Sequence, residues 1–308
     1  MKFPRLFVSL FPLVMLLAPQ AFAMGPESGW RHGAPFAYDK GLLDYIGLDR
    51  SVLADNGVDF HLSQMAVYQN VADGGPDNTD DDEFSNSYDL QVYFDSAKMG
   101  LWKNGYAIFR TEGKSDDAGV NPKTGAIIPV NFDAMVPEPK GKNFEITEWW
   151  YSHAFLDGMI EPVIGMYDIA RFFDINPYSA PYHYRFMNAH MFFNSVLLPY
   201  APYNILGGVV IAKPAKWLTI TTGVGDPNSS AADIDWFEEG DINLLHEWRV
   251  MAKPFGKLGI YNIGLAYTDQ EQATIEDATQ TKDDDWAYYG SFAQALYQDP
   301  DNPHKSVG

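Results

Sequence analysis

From Ser87 to Phe94 the side chains alternate without a break. Tyr88, Leu90, Val92 and Phe94 fall on one face, and Asp89, Gln91, Tyr93 and Asp95 on the other. Successive residues of a strand point to opposite faces, so such a segment separates an apolar medium from water. Residues 106–112 are less regular, with Tyr106, Ile108, Arg110 and Glu112 opposite Ala107, Phe109 and Thr111. Further strands are expected at 58–71, 144–155, 159–167, 207–213, 217–225, 245–254, 258–268 and 286–298. Helix signals are sparse, a short turn at residues 51–54 being the main one.

The connections are of two kinds. Pro254-Phe255-Gly256-Lys257 and Lys213-Pro214-Ala215-Lys216 are short turns, whereas 73–83, 226–241 and 269–285 are long and acidic. A barrel with one end in the periplasm and the other facing the medium segregates its loops this way. Rings at or near expected strand ends would supply its interfacial girdles: Tyr68, Trp102, Trp149, Trp150, Tyr151, Trp217, Trp248, Tyr267, Trp286, Tyr288, Tyr289 and Tyr297. The same rings would also suit a soluble core.

Residues 1–23 read as a cleaved secretory signal. Lys2 and Arg5 are followed by the apolar run 6–18 and by Ala21-Phe22-Ala23. The rival, a membrane anchor, is opposed by Pro12 and by the small-residue exit. Past Ala23 there is no run of about 18 apolar residues, so no bilayer-spanning helix is expected, while barrel strands need only about 9 to 11 residues each. The net charge of −20 repels a nucleic-acid backbone, and the absence of cysteine rules out disulfides and Cys-based metal sites. The organisation expected is a signal peptide at 1–23, a periplasmic segment with a short helix at 24–56, and barrel at 57–308.

From about Asp49 on, Arg50-Ser51-Val52-Leu53 and Gly57-Val58 precede the first strand, and Asn70, Gly74-Gly75, Asp95 and Leu101 follow. Further along stand Gly165, Asp168 and Phe172, then Phe186-Met187-Asn188, then Leu206-Gly207-Gly208, Pro214 and Gly223-Val224-Gly225-Asp226. In these residues and their order the chain resembles the carbohydrate-selective porins of the OprB type, whose opening segment, strand exit, inward loop and central hairpin they match in turn. Two departures stand out: Met166 replaces a lysine before Tyr167-Asp168, and the family's Trp-Gly opening is reduced to Gly47-Leu48. The resemblance implies an all-β, antiparallel transmembrane barrel in the outer membrane that passes small sugars, without enzymatic activity or cofactor. Such barrels usually have about 16 strands. With about ten here, the chain is expected to be incomplete at its C-terminus, a smaller closed barrel being the competing possibility. Oligomeric state is left open.

In this reading the irregular segments 115–142 and 169–203 fold into the lumen and bring Arg171, Tyr182, Tyr184 and Arg185 near the pore. The expected constriction is Arg110, Glu112, Glu148 and Arg171, because opposed charges fix each other's rotamers and still offer donors and acceptors to a sugar. Equally, Arg110 and Glu112 could be structural charges that hold neighbouring strands. Glu145 and Glu148 are three apart, so regular alternation places them on opposite faces. That spacing argues against a paired-carboxylate hydrolase and leaves open which face of 144–155 meets water. The runner-up function is a soluble periplasmic or secreted β-protein that binds or hydrolyses glycans. The histidines show no zinc spacing, and the acidic runs Asp80–Glu83 and Asp283–Asp285 lack calcium-loop spacing. Such runs would at most bind divalent ions loosely where loops meet lipopolysaccharide.

Overall fold

The computed structural model describes residues 47, 51–76, 81–114, 118–136, 144–179, 186–200, 202–231, 233–234, 236–274, 279–299 and 306–308. The expected signal segment and Tyr182, Tyr184 and Arg185 lie outside these. A short helix, α1 (Ser51–Asp55), leads into the ten strands of the main sheet, beside which two small ladders pair Gln272–Ala273 with Thr281–Lys282 and Tyr297–Gln298 with Ser306–Val307. They are β1 (Val58–Val71), β2 (Asp81–Asp95), β3 (Gly105–Lys114), β4 (Phe144–His153) and β5 (Ile160–Asp168), then β6 (Asn204–Ala215), β7 (Leu218–Asp226), β8 (Asn243–Ala252), β9 (Gly259–Thr268) and β10 (Asp285–Gln294). Each pairs antiparallel with its sequence neighbours in one ten-stranded sheet. Among the described residues β1 and β10 do not pair with each other, so the wall is not closed. No helix among them is long and apolar enough to cross a membrane.

Because the order follows the sequence, alternate connections share an end. The connections 72–80, 115–143, 169–203, 227–242 and 269–284 lie at one end, and 96–104, 154–159, 216–217 and 253–258, none longer than nine residues, at the other. One expected boundary moves: the acidic residues Asp81 to Glu83 belong to β2, where Asp81 faces Val71 and Glu83 faces Gln69. Glu83 is paired there, its Oε1 2.7 Å from Lys123 Nζ.

The polarity of this sheet is inverted relative to a soluble protein. One face is covered by the connections after β3 and β5 and buries Ser85, Ser87, Asp89 and Gln91 of β2, Arg110 and Glu112 of β3, Glu161 of β5, Glu247 of β8 and Asn262 of β9. The opposite face leaves large apolar side chains uncovered: Leu62 is 61% exposed, Ile164 69%, Ile263 59% and Phe292 71%. Roughly 25 cal/mol per Å² is lost for such area in water, so a row of these positions is stable only against another apolar medium. Trp149, Tyr151, Tyr267, Trp286 and Tyr288 lie on this outer face. Trp150 and Tyr289, expected in the girdles, face inward instead: Trp150 pairs with Gly165 and bonds Glu148, and Tyr289 is buried against Glu247.

The inner face is filled by the segment after β5, described over 169–179 and 186–200. Its Phe173 and Leu197 are fully buried with Tyr167, Ile205, Val209, Leu245, Ala266 and Ala287 of the wall. The segment after β3 docks likewise, with Asn131 bonding Gln69 and Ser85, and Lys114 donating to the Ala134 carbonyl. Gly165 lets β4 and β5 approach, since a Cβ there would sit 2.2 Å from the Trp149 carbonyl oxygen at a φ of +137°. Gly165→Ala is therefore expected to cost several kcal/mol and to abolish the compact, heat-modifiable band on a detergent gel.

Candidate functional site

The densest polar cluster on the inner face is built where β2, β3, β4 and the segment after β5 meet. Asp89 and Gln91 of β2 stand opposite Glu112 and Arg110 of β3. Arg110 in turn stands opposite Glu148 of β4. The register between β3 and β4 then slips, so that Arg110 faces Glu148 while Thr111 faces Ile146, and Thr147 is the extra residue of a β-bulge. This overturns the expectation for Glu145 and Glu148. The bulge changes the parity of the strand, so both carboxylates face inward, Glu145 opposite Glu112 and Glu148 opposite Arg110, and Ile146 faces out. The inner face of β4 is thereby assigned.

Arg110 is the hub. Its Nη2 lies 2.7 Å from Asp89 Oδ2 and 3.0 Å from Glu112 Oε1, and its Nη1 lies 3.1 Å from Glu148 Oε1. Nη1 also donates to the Tyr203 hydroxyl at 3.1 Å, and that hydroxyl donates to Glu112 at 2.7 Å. Gln91 donates to Asp89 and accepts from the Tyr93 hydroxyl. Arg171 also holds Glu148, Nε to Oε2 at 2.8 Å and Nη2 to Oε1 at 2.5 Å. Trp150 Nε1 donates to Glu148 Oε2 at 3.1 Å.

A 3₁₀ turn over Ile169–Arg171 sets the position of Arg171. The Asp168 side chain accepts the Ala170 N–H at 2.8 Å and so caps that turn. Burial alone would pull the Arg171 guanidinium pKa down, but the Glu148 carboxylate more than reverses this, so the residue stays cationic.

All four expected constriction residues, Arg110, Glu112, Glu148 and Arg171, thus converge. They differ in access. Arg110, Glu112 and Glu148 are buried, and Arg110 ties three strands together. Arg171 lines a cavity of about 960 Å³ with Tyr93, Trp150, Phe172, Thr221 and Arg249. The cavity extends to Lys98, Leu156 and Lys213 at the short-turn end. Sequence reasoning passed over Asp89, Trp150 and Tyr203. Asp89 carried a signal, its place on the wet face of an alternating strand, whereas Tyr203 closes the cluster from 91 residues beyond Glu112.

An antiparallel wall with apolar side chains outward, buried charges inward and long segments folded onto the inner face is the fold of a porin-type β-barrel. The structure of Pseudomonas putida OprB determined at high pH is similar, with a TM-score of 0.65 and 16% identity over 83% of this chain and 65% of that chain. The low-pH structure of the same protein gives a TM-score of 0.47 and 12% identity, over 93% of this chain and 70% of that one. The chain therefore spans about two thirds of the length of that porin. No family model and no curated protein matches the sequence.

Proposed function

We propose that the protein is an outer-membrane porin through which small carbohydrates diffuse passively, exported by a cleaved signal at residues 1–23. The observation that carries this reading is the inverted sheet, apolar belt outside and charge network inside, beside a cavity with two arginines and several aromatic rings on its wall. Neutral sugars suit such a wall, since rings stack on their C–H faces while a guanidinium and hydroxyls meet their O–H groups. None of these contacts needs to be tight, because conduction requires release as well as entry.

Within the cluster we assign two roles. Arg171 meets the solute, and Arg110, Glu112 and Glu148 hold it in place. Glu145 and Glu148 share a face, yet they make a poor acid and nucleophile pair. Both Glu148 oxygens are taken by Arg110, Arg171 and Trp150, so it has no lone pair aimed at a glycosidic bond. The reading is accordingly of a channel without enzymatic chemistry.

Single-channel recording tests it. Purified protein in a planar bilayer should carry a current that falls when sugar is added. Arg171→Ala should raise the half-blocking sugar concentration about tenfold, the loss of one charge-assisted hydrogen bond. A current indifferent to sugar in the unmodified protein would sink carbohydrate selectivity. Protein that stays in the supernatant without detergent would sink the porin itself.

A further inference from the structure

A second polar cluster lies on the inner face against β8 and β10, and the constriction does not use it. Asp174, three residues after Arg171, adopts a left-handed φ of 49°. Its backbone N–H donates to Glu247 Oε2 at 2.7 Å. Its carboxyl accepts from the backbone N–H of Asn194 at 2.7 Å and from the Ser291 hydroxyl. Glu247 of β8 also accepts from the Tyr289 hydroxyl of β10 at 2.8 Å and from Arg249 Nη2 at 2.6 Å. Arg249 reaches onward to the Phe172 carbonyl at 3.3 Å and to Asn262 Oδ1 of β9 at 3.1 Å. One residue thus fastens the inward segment to itself, through Asn194, and to two wall strands.

The charges do not balance. The ionisable groups facing Asp174 are Glu247 and Arg249 on β8 and Tyr289 on β10. Two buried carboxyls therefore share one guanidinium, and Arg249 is committed to Glu247. An ionised Asp174 adds an uncompensated negative charge beside Glu247, in a place where Asp174 itself is only 6% exposed.

We propose that Asp174 is a proton-controlled latch: uncharged, it holds the inward segment and its Arg171 against the wall, and charged, it lets the segment loosen and widens the lumen. The proposal rests on the porin reading for its effect on transport, but not for the latch itself. Burial, with Glu247 adding to it and the Ser291 and Asn194 bonds opposing, raises the Asp174 carboxyl to about 6 from an ordinary 3.8. A docked-state value above the released-state value means that docking is strongest below about pH 4. It weakens as pH rises and reaches its floor above about pH 6, a fall of up to about a hundredfold in the docked-to-released ratio.

Hydrogen exchange of residues 169–179 and 186–200 in detergent, corrected for the intrinsic pH dependence of amide exchange, tests the latch without requiring a current. Exchange should quicken up to about a hundredfold between pH 4 and pH 6.5. Asp174→Asn should stay slow throughout that window. Ser291→Ala, a milder change that removes a donor to the carboxylate, should move the transition to higher pH. Equal pH profiles in the unmodified protein and Asp174→Asn, or a Ser291→Ala transition that does not move if Asp174→Asn fails to fold, would overturn the latch. Bilayer currents then separate the two readings. If exchange shifts with pH and current rises in step, both stand. A shift in exchange with no current under any condition counts against the porin and leaves the latch standing.

Discussion

Glu148→Gln should cost about 3–5 kcal/mol of folding stability, the ordinary consequence of removing one partner from a buried ion pair. The size follows from what is left behind. Arg110 keeps Asp89 and Glu112, but the ion pair of Arg171 is with Glu148 alone among the described residues, so a guanidinium is stranded where the glutamate was fully buried. The loss should appear as a shift of the urea midpoint of detergent-refolded protein. Pairing the change with Arg171→Met should recover most of it, because replacing a whole buried pair with apolar groups is often near neutral. A double variant no more stable than Glu148→Gln would mean that Arg171 is not what the glutamate holds.

A charge on the outer face should be as damaging as one removed from the inner. Ile263→Arg stands midway along β9 at a position 59% exposed, where an arginine facing water would change stability by no more than about 0.5 kcal/mol. Facing hydrocarbon, the same residue should cost about 2–4 kcal/mol, a penalty that shrinks toward either end of the strand. Refolding into vesicles, with Tyr267→Arg near the interface as comparison, reads the difference. Equal and negligible costs at both positions would place this face in water.

The wall was legible because alternation is a local property. Most strands declare themselves over a few residues, residues 106–112 less cleanly than the rest, and both faces of β2 follow from residues 88 to 95 alone. Segregation of the loops also followed, since it depends only on connection length and order. Parity fails at Thr147, where one extra residue turns Glu148 to the side of Glu145. A bulge changes no composition and leaves no periodic trace, so only the cross-strand register reveals it.

The charge network was legible in part for a related reason. Arg110 and Glu112 lie two apart on one strand and had to share a face. Trp150 stands two residues from Glu148 on the same strand, whereas Tyr203 and Asp168 join the cluster through contacts between distant parts of the chain. The same holds for Asp174 and Ser291, 117 residues apart, whose meeting depends on how the inward segment packs rather than on any pattern within it.

The most direct measurement uses the absence of cysteine in the chain. Single cysteines placed one at a time from Ile260 to Thr268, labelled with a nitroxide in vesicles, report whether each side chain meets lipid-dissolved oxygen or a water-soluble relaxing agent. Oxygen contact should rise and fall with a period of two, high at Tyr261, Ile263, Leu265 and Tyr267 and low at Ile260, Asn262, Gly264, Ala266 and Thr268. Uniformly low contact with both agents, as between two stacked sheets, or water contact at Ile263 and Leu265, would contradict it.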